Sequence, residues 1–515
     1  MSKRLRFIAL CLATLMLAGC TGGSVPTTPR SAPSLPPPDP RYPAPSEDST
    51  QDYAQTVQLC LPSQENGQLI MVQERLLLPP DRHPAEATLT KLLSFAGNEQ
   101  AKPLFPEASL QLQPGWGVEL SGDVVTIHLS TNARLLSRQN LFTLRRAIAN
   151  TLVQWGDIHY ISVLVDGTEP GVDEAGLLPM GLMEETRNED APALWNSYAA
   201  RFQSESPESQ RFSSLCALYF PAPSGRGVLT EARAVSFPGQ SQQQMVISLL
   251  EALSAGAQTL PRLPVMPNLV GLLAAAPQVV DSANGLGRVA HLQFLETTNQ
   301  ALIQAGIPRS IMLASLTYTL CTFLPGLQGL AVQIGNEHIE AIVPSGIYDG
   351  AGEQIFFSGG VLRRADFSSF LLTDCTLYLT NAAQSLVRVR RPVPHALAHS
   401  MRYLLGQLME GPQVYDSIQS TSPVFPSGID QEALIAVARE GDTALINFSQ
   451  ELLDRAVGMT PQQERLMVYA IVNTLCESPS TSRVRFFIEG GQPDTFAGAV
   501  YLPGEFLRNP ELIAR

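Results

Sequence analysis

Three stretches of the chain carry the same apolar stripe. Leu144, Ile148, Thr151 and Leu152 are spaced i, i+4, i+7, i+8. Met312, Leu316, Thr319 and Leu320 repeat that spacing, as do Met467, Ile471, Thr474 and Leu475. The spacing puts four side chains on one face of a helix. Each stripe ends in a shared motif: Asn150-Thr151-Leu152-Val153, Tyr318-Thr319-Leu320-Cys321 and Asn473-Thr474-Leu475-Cys476. Each motif then runs into an apolar strand, at residues 161–166, 330–334 and 484–489. Self-similarity of this kind describes one structural unit used three times.

The rest of each unit follows from period and punctuation. Opening strands are expected at 57–61, 216–220 and 375–379. A second strand ends in an arginine-bearing segment (Glu74-Arg75, Ala232-Arg233, Arg390-Arg391). A first helix follows at 84–93, 241–253 and 394–409, with Pro84 and Pro394 suited to a first turn. Next comes a hairpin whose second strand alternates, at 125–129, 289–294 and 444–448. Thr460-Pro461 reads as the start of the third striped helix. The order ββαββαβ defines an α+β fold: a tandem repeat of small two-layer domains, three copies, each with two helices on a small sheet. The boundaries fall at 57–167, 216–335 and 375–515, the last including a C-terminal tail; 168–215 and 336–374 are connectors. Residues 311–332 are the most apolar stretch of these units. They align with helix plus strand elsewhere, so they read as buried core rather than a membrane span.

The N-terminus changes the picture. Lys3, Arg4 and Arg6 precede an apolar run at 7–17 that ends in Leu17-Ala18-Gly19-Cys20. This looks like a bacterial lipobox, so 1–20 is expected to be a lipoprotein signal peptide. Cys20 would carry the acyl chains (palmitate among them) and tether the protein to a membrane on its extracytoplasmic face. Residues 21–56 hold nine prolines and almost no bulky apolar side chain, which describes a linker. The formal charge is −13, and −16 once the three basic leader residues are gone. That balance argues against a nucleic-acid partner and against a basic grip on anionic lipid.

Candidate chemistry is sparse. Cys216 and Cys375 open their units, and Cys321 and Cys476 close the striped helices. In the first unit both positions are valine, Val57 and Val153. Paired replacement is what side chains in contact show, so Cys216–Cys321 and Cys375–Cys476 are disulfide candidates in an exported chain. The competing reading is small buried hydrophobes. Cys60 has no partner. His395 and His399 lie four apart, a metal-capable spacing, but without an acidic or cysteine ligand beside them; a half-exposed helix face is expected. His128 and His291 read as surface residues. Glu184, Glu185, Glu189 and Asp190 read as a solvated run. No nucleophile elbow, zinc-protease motif or phosphate loop is present, so no catalytic residue, cofactor or metal is expected.

The third unit resembles the GerM domain of bacterial sporulation and spore-germination lipoproteins. The residues that carry the resemblance are Leu404-Leu405-Gly406-Gln407-Leu408-Met409-Glu410-Gly411-Pro412, the strand at 444–449, Ala470-Ile471-Val472-Asn473-Thr474-Leu475, and 484–490. The first unit matches in the same order through 147–152 and 161–167 but lacks the Gly-Pro; the second is the most diverged. The resemblance implies a non-catalytic lipoprotein of a spore-former, placed on the cell membrane or in the forespore intermembrane space. Its units would build rings, self-associate or dock extracytoplasmic proteins of a sporulation complex. The alternative is a solute- or peptidoglycan-binding lipoprotein.

Overall fold

The computed structural model describes residues 43–49, 51–173, 176–202, 210–259, 263–282, 285, 287–345, 347, 352–418 and 420–514. Three antiparallel hairpins open its three segments: Tyr53–Pro62 with Leu69–Leu78, Phe212–Pro221 with Val228–Phe237, and Leu372–Asn381 with Leu386–Pro394. Each is followed by a helix, Ala85–Leu93, Gln242–Ser254 or Met401–Met409. A second hairpin comes next: Val118–Ser121 with Val124–Leu129, Gln278–Asp281 with Arg288–Phe294, and Leu434–Glu440 with Thr443–Phe448. A striped helix then returns the chain to a strand parallel to the last one. These helices are Arg138–Leu152, Arg309–Phe323 and Pro461–Leu475, and the strands are Tyr160–Val165, Leu327–Ile334 and Arg483–Ile488. The fold is mixed α+β, made of small sheets. The expected single sheet per unit is in fact two, because the opening hairpin does not pair with the second. The striped helix packs against both.

Helix starts follow the side-chain chemistry. Ser137, Ser241, Ser400 and Thr460 each accept a hydrogen bond from the backbone N–H three residues on. Gln463 returns the bond to Thr460, and Pro461 fills the first turn. One start differs from the sequence reading. Pro394 ends a strand rather than opening a helix; His395–Leu397 forms a single 3-10 turn, and the helix begins only after Ser400. The linker is also shorter than expected, since the first strand begins at Tyr53.

The threonine of each shared motif has one job. Thr151 Oγ1 accepts the main-chain N–H of Cys60 (2.9 Å), Thr319 that of Tyr219 (3.1 Å), and Thr474 that of Tyr378 (3.1 Å). These N–H groups lie on the edge of the opening strand that faces away from its hairpin partner. A threonine on the inward stripe would by default bond back to its own helix. Here the strand edge has the stronger claim, because a buried orphan N–H costs about 1–3 kcal/mol.

One apolar core runs continuously from the first segment through the second and ends near Leu371. The third segment has a separate core centred on Leu377, Leu405, Ile446 and Ile471. Stacked rings reinforce the second segment: Tyr219 on Tyr318 at 4.9 Å and Phe237 on Phe323 at 5.1 Å between centroids. Among the described residues no helix is long and apolar enough to cross a membrane. The 311–332 stretch is helix and strand inside the core.

Thr474→Val keeps the shape and removes the acceptor for Tyr378 N–H. It is expected to destabilise the third segment by about 1–3 kcal/mol in a denaturant titration. Thr474→Ser should recover most of the loss; an equal loss in both variants would show that the hydroxyl is not what matters.

Candidate functional site

One group of buried polar side chains lies where the segments meet. Glu119, on the first segment's Val118–Ser121 strand, pairs with Arg364 from the 336–374 connector, and both side chains are buried. His128 Nε2 stands 3.2 Å from the same carboxylate, and Trp116 packs on the imidazole at 5.2 Å. Arg364 also donates to Thr322 Oγ1, and its guanidinium sits 4.4 Å from the ring centre of Tyr318, on the second segment. Burial alone would raise the Glu119 carboxyl. The charges of Arg364 and His128 outweigh it and hold the group at about 2. His128 is thus fully buried, against the sequence expectation of a surface residue. It does alternate away from its own strand's apolar partners, but Trp116 and Glu119 lie against it on that face. His291, at the nearby repeat position, is exposed as expected.

A second junction joins all three segments. Ser121 Oγ donates to Leu372 O at 2.6 Å and accepts Thr230 N–H at 3.2 Å. Gly122 follows it at φ +62°, where a Cβ would lie 2.6 Å from Thr230 O; no other residue fits that approach. His395 Nδ1 accepts Leu120 N–H at 3.4 Å and so covers the edge of the Val118–Ser121 strand. Beside it, His83 Nδ1 accepts Ala85 N–H at 3.1 Å, which leaves the proton on Nε2 to bond the Asp157 carboxylate at 3.1 Å. The His399 ring packs on His83 at 5.2 Å. His395 and His399 therefore lie on a turn against the first segment, not on a helix face. Desolvation, with His83 adding to it, lowers the His399 imidazole to about 4; desolvation lowers His395 as well. Among the described residues no group of three His, Cys, Asp or Glu is arranged to hold a metal ion.

The end of the proline-rich stretch forms a third contact. Ser49 bridges in parallel to Ala438 on the edge of Leu434–Glu440. Asp48 accepts from Val437 N–H at 2.9 Å and from Arg402 Nη2 at 2.8 Å. Asn447 Nδ2 donates to Pro45 O at 2.9 Å, and Pro45 is buried. Residues 43–49, expected to be free linker, are thus docked on the third segment. The short proline-rich run held no apolar pattern that could have revealed this.

The expected disulfides are absent. Cys216, Cys321, Cys375 and Cys476 are free thiols, as is Cys60. The reason is register. Strand and helix touch at Tyr219–Thr319 and at Tyr378–Thr474. Each first cysteine lies three residues earlier on its strand, about 10 Å away. Each second lies two residues further round its helix, roughly 200° from the threonine. A bridge needs the two Cα atoms within about 7 Å. Burial pushes the thiols of Cys321 and Cys375 up to about 12, and those of Cys60 and Cys476 to about 11. Glu184, Glu185, Glu189 and Asp190 are exposed. Cys20 and the rest of 1–42 lie outside the described residues.

Residues 376–494 match the family model Germane, described as "Sporulation and spore germination". The match lies within the third segment and is to a family tied to sporulation and germination. No curated protein matches the chain. Among solved structures, the tandem GerMN domains of the sporulation protein GerM from Bacillus subtilis align with 58% of this chain and 99% of their own, at 15% identity and a TM-score of 0.23. The first GerMN domain of that protein aligns with 22% of this chain and 84% of its own, at 16% identity and a TM-score of 0.18.

Folded His399 takes up its proton only near pH 4, whereas an unfolded histidine does so near 6.5. Between those values the folded state binds fewer protons, so stability falls as pH drops from about 6.5 to about 4. Glu119 adds a second loss as pH falls from about 4.3 to about 2. Melting temperature followed from pH 7 to pH 4 should decline, and His399→Gln should flatten that decline; an unchanged slope would exclude His399 as its source.

The thiols give a separate test. In protein denatured without reductant, all five of these cysteines should alkylate, and in the native protein they should react slowly. A Cys216–Cys321 or Cys375–Cys476 cross-linked peptide would contradict the free-thiol arrangement.

Proposed function

We propose that this chain is a lipid-anchored, non-catalytic scaffold of sporulation or spore germination, in which three GerM-like units act as assembly or docking modules. Cys20 is its lipid attachment point, and the folded part stands on the extracytoplasmic face of the membrane. Its partners are copies of itself or extracytoplasmic proteins of a sporulation complex.

The observation that carries this reading is where buried charge goes. Glu119 holds Arg364 across two segments. Glu169 holds Arg145 at 2.8 Å. Arg391 and Asp416, both fully buried, meet at 2.7 Å. Glu464 accepts three main-chain N–H groups, from Phe496, Ala497 and Ala499, and ties the C-terminal tail to its helix. A catalytic or ligand-binding centre turns such groups toward an open cleft. In this chain they secure its own loops and the joints between segments, which supports a rigid body that presents surfaces. The Germane match supports the process, and the lipobox pattern supports the anchor.

Cys20→Ala is expected to leave the protein out of the membrane fraction. A normally processed, membrane-bound Cys20→Ala product would overturn the anchor. Leu475 is 1% exposed, so Leu475→Asp buries an unpaired charge and should unfold the third unit. Spore formation should then fall to the level of a deletion. Normal sporulation with Leu475→Asp would overturn the role given to that unit.

A further inference from the structure

Each opening hairpin has an outer strand, and other segments meet two of the three, one along its length and one at its first three residues. On Leu386–Pro394, Ser417 N–H donates to Arg390 O at 3.0 Å, Ser417 Oγ accepts Arg390 N–H at 2.8 Å, and Ala514 N–H donates to Leu386 O at 2.7 Å. On Val228–Phe237, Ser121 takes Thr230 N–H and Leu371 bridges Val228. On Leu69–Leu78, among the described residues, the outer edge receives a single bond, from Asn188 Nδ2 to Leu69 O at 2.7 Å. A ten-residue edge with no proline and no covering segment is a template for another strand.

Register shows which groups are offered. Gln58 and Cys60 send their N–H groups away from the hairpin, to Gln154 and Thr151. Their antiparallel partners, Gln73 and Met71, therefore send theirs outward on the other edge, as do Arg75 and Leu77 by alternation. These four residues also put their side chains on the exposed face, with Met71 at 48% and Leu77 at 68%.

We propose that this edge joins two copies of the chain, paired antiparallel about a two-fold axis through Glu74. In that register the exposed apolar residues of the edge pair with each other. Met71 falls opposite Leu77 of the second copy, and Gln73 opposite Arg75, each pair twice. Two exposed apolar pairs flank two polar ones, and no like charges face each other on that side. All four outward-facing residues find a hydrogen-bonded partner. Glu74 itself lies on the axis on the opposite face, where Lys91 at 3.4 Å offsets the meeting of two carboxylates. An isologous contact of this kind closes on itself and gives a dimer rather than a filament. The proposal rests on the scaffold reading and names the surface it would use.

The test uses the full chain in detergent micelles. Met71→Cys combined with Leu77→Cys should give a covalent dimer under mild oxidation. Met71→Cys combined with Gln73→Cys, which places no two cysteines opposite, should not. Leu77→Lys should weaken dimerisation at least about tenfold in sedimentation velocity, by setting a charge in an apolar pair, and leave the melting temperature unchanged. Equal cross-linking by both cysteine pairs, or a monomeric wild-type chain, would overturn the proposal. Self-association that survives Leu77→Lys would also overturn it, while leaving the scaffold reading intact.

Discussion

A threonine hydroxyl that takes a main-chain N–H from the opening strand is the contact on which each unit is built. The sheets here have two to four strands, so much of their main chain borders no neighbouring strand. Thr151, Thr319 and Thr474 meet that shortage at the most buried edge. In doing so they fix the height of the striped helix against the hairpin. Leu152, Leu320 and Leu475 then fall into the core rather than beside it. Several other edges are met the same way, by whatever lies nearest: Met183 at Ile161, Leu362 at Leu330, His395 at Leu120 and Ser121 at Thr230. Tails and connectors that read as filler in the sequence are the covers of these edges.

That division explains what the sequence could reveal. The helices and strands were legible because period and capping are local. The stripes, Thr460-Pro461 and the alternating strand 444–448 all specify their elements within a few residues. The splitting of each unit into two sheets was not legible, since it depends on which strands meet. The disulfide inference failed for a related reason. Paired replacement of Val57 and Val153 by cysteines locates two equivalent positions in the same frame, but not the three-residue offset that separates them. His128 lies inside because Glu119, beside it, is buried in a pair with Arg364 from a connector far along the chain. None of the inter-segment contacts of Glu119, Ser121 or Asp48 left a signal in composition or spacing.

The cores divide the molecule unevenly. The first two segments share one continuous apolar core, whereas the third has its own. Among the described residues, polar contacts and a small apolar patch at Ala222, Leu229 and Leu372 hold the third to the others. Apolar contact is non-directional, and polar contact depends on geometry and protonation. The first two segments therefore behave as one cooperative block. The third segment is a second block joined to it in part by bonds that acid can weaken, since His395 and His399 lie in that seam.

The docked segment 43–49 has a mechanical consequence. Any pull on the chain before Pro43 reaches Leu434–Glu440 before it reaches Tyr53. Asp48 on Arg402 and Val437, Ser49 on Ala438 and Asn447 on Pro45 take the strain first. The chain then crosses only a few residues to the first strand. A stretch that is continuous in sequence with the first segment is thus fastened to the third. Tension applied at the N-terminus is therefore borne by the third segment before it can reach the first hairpin.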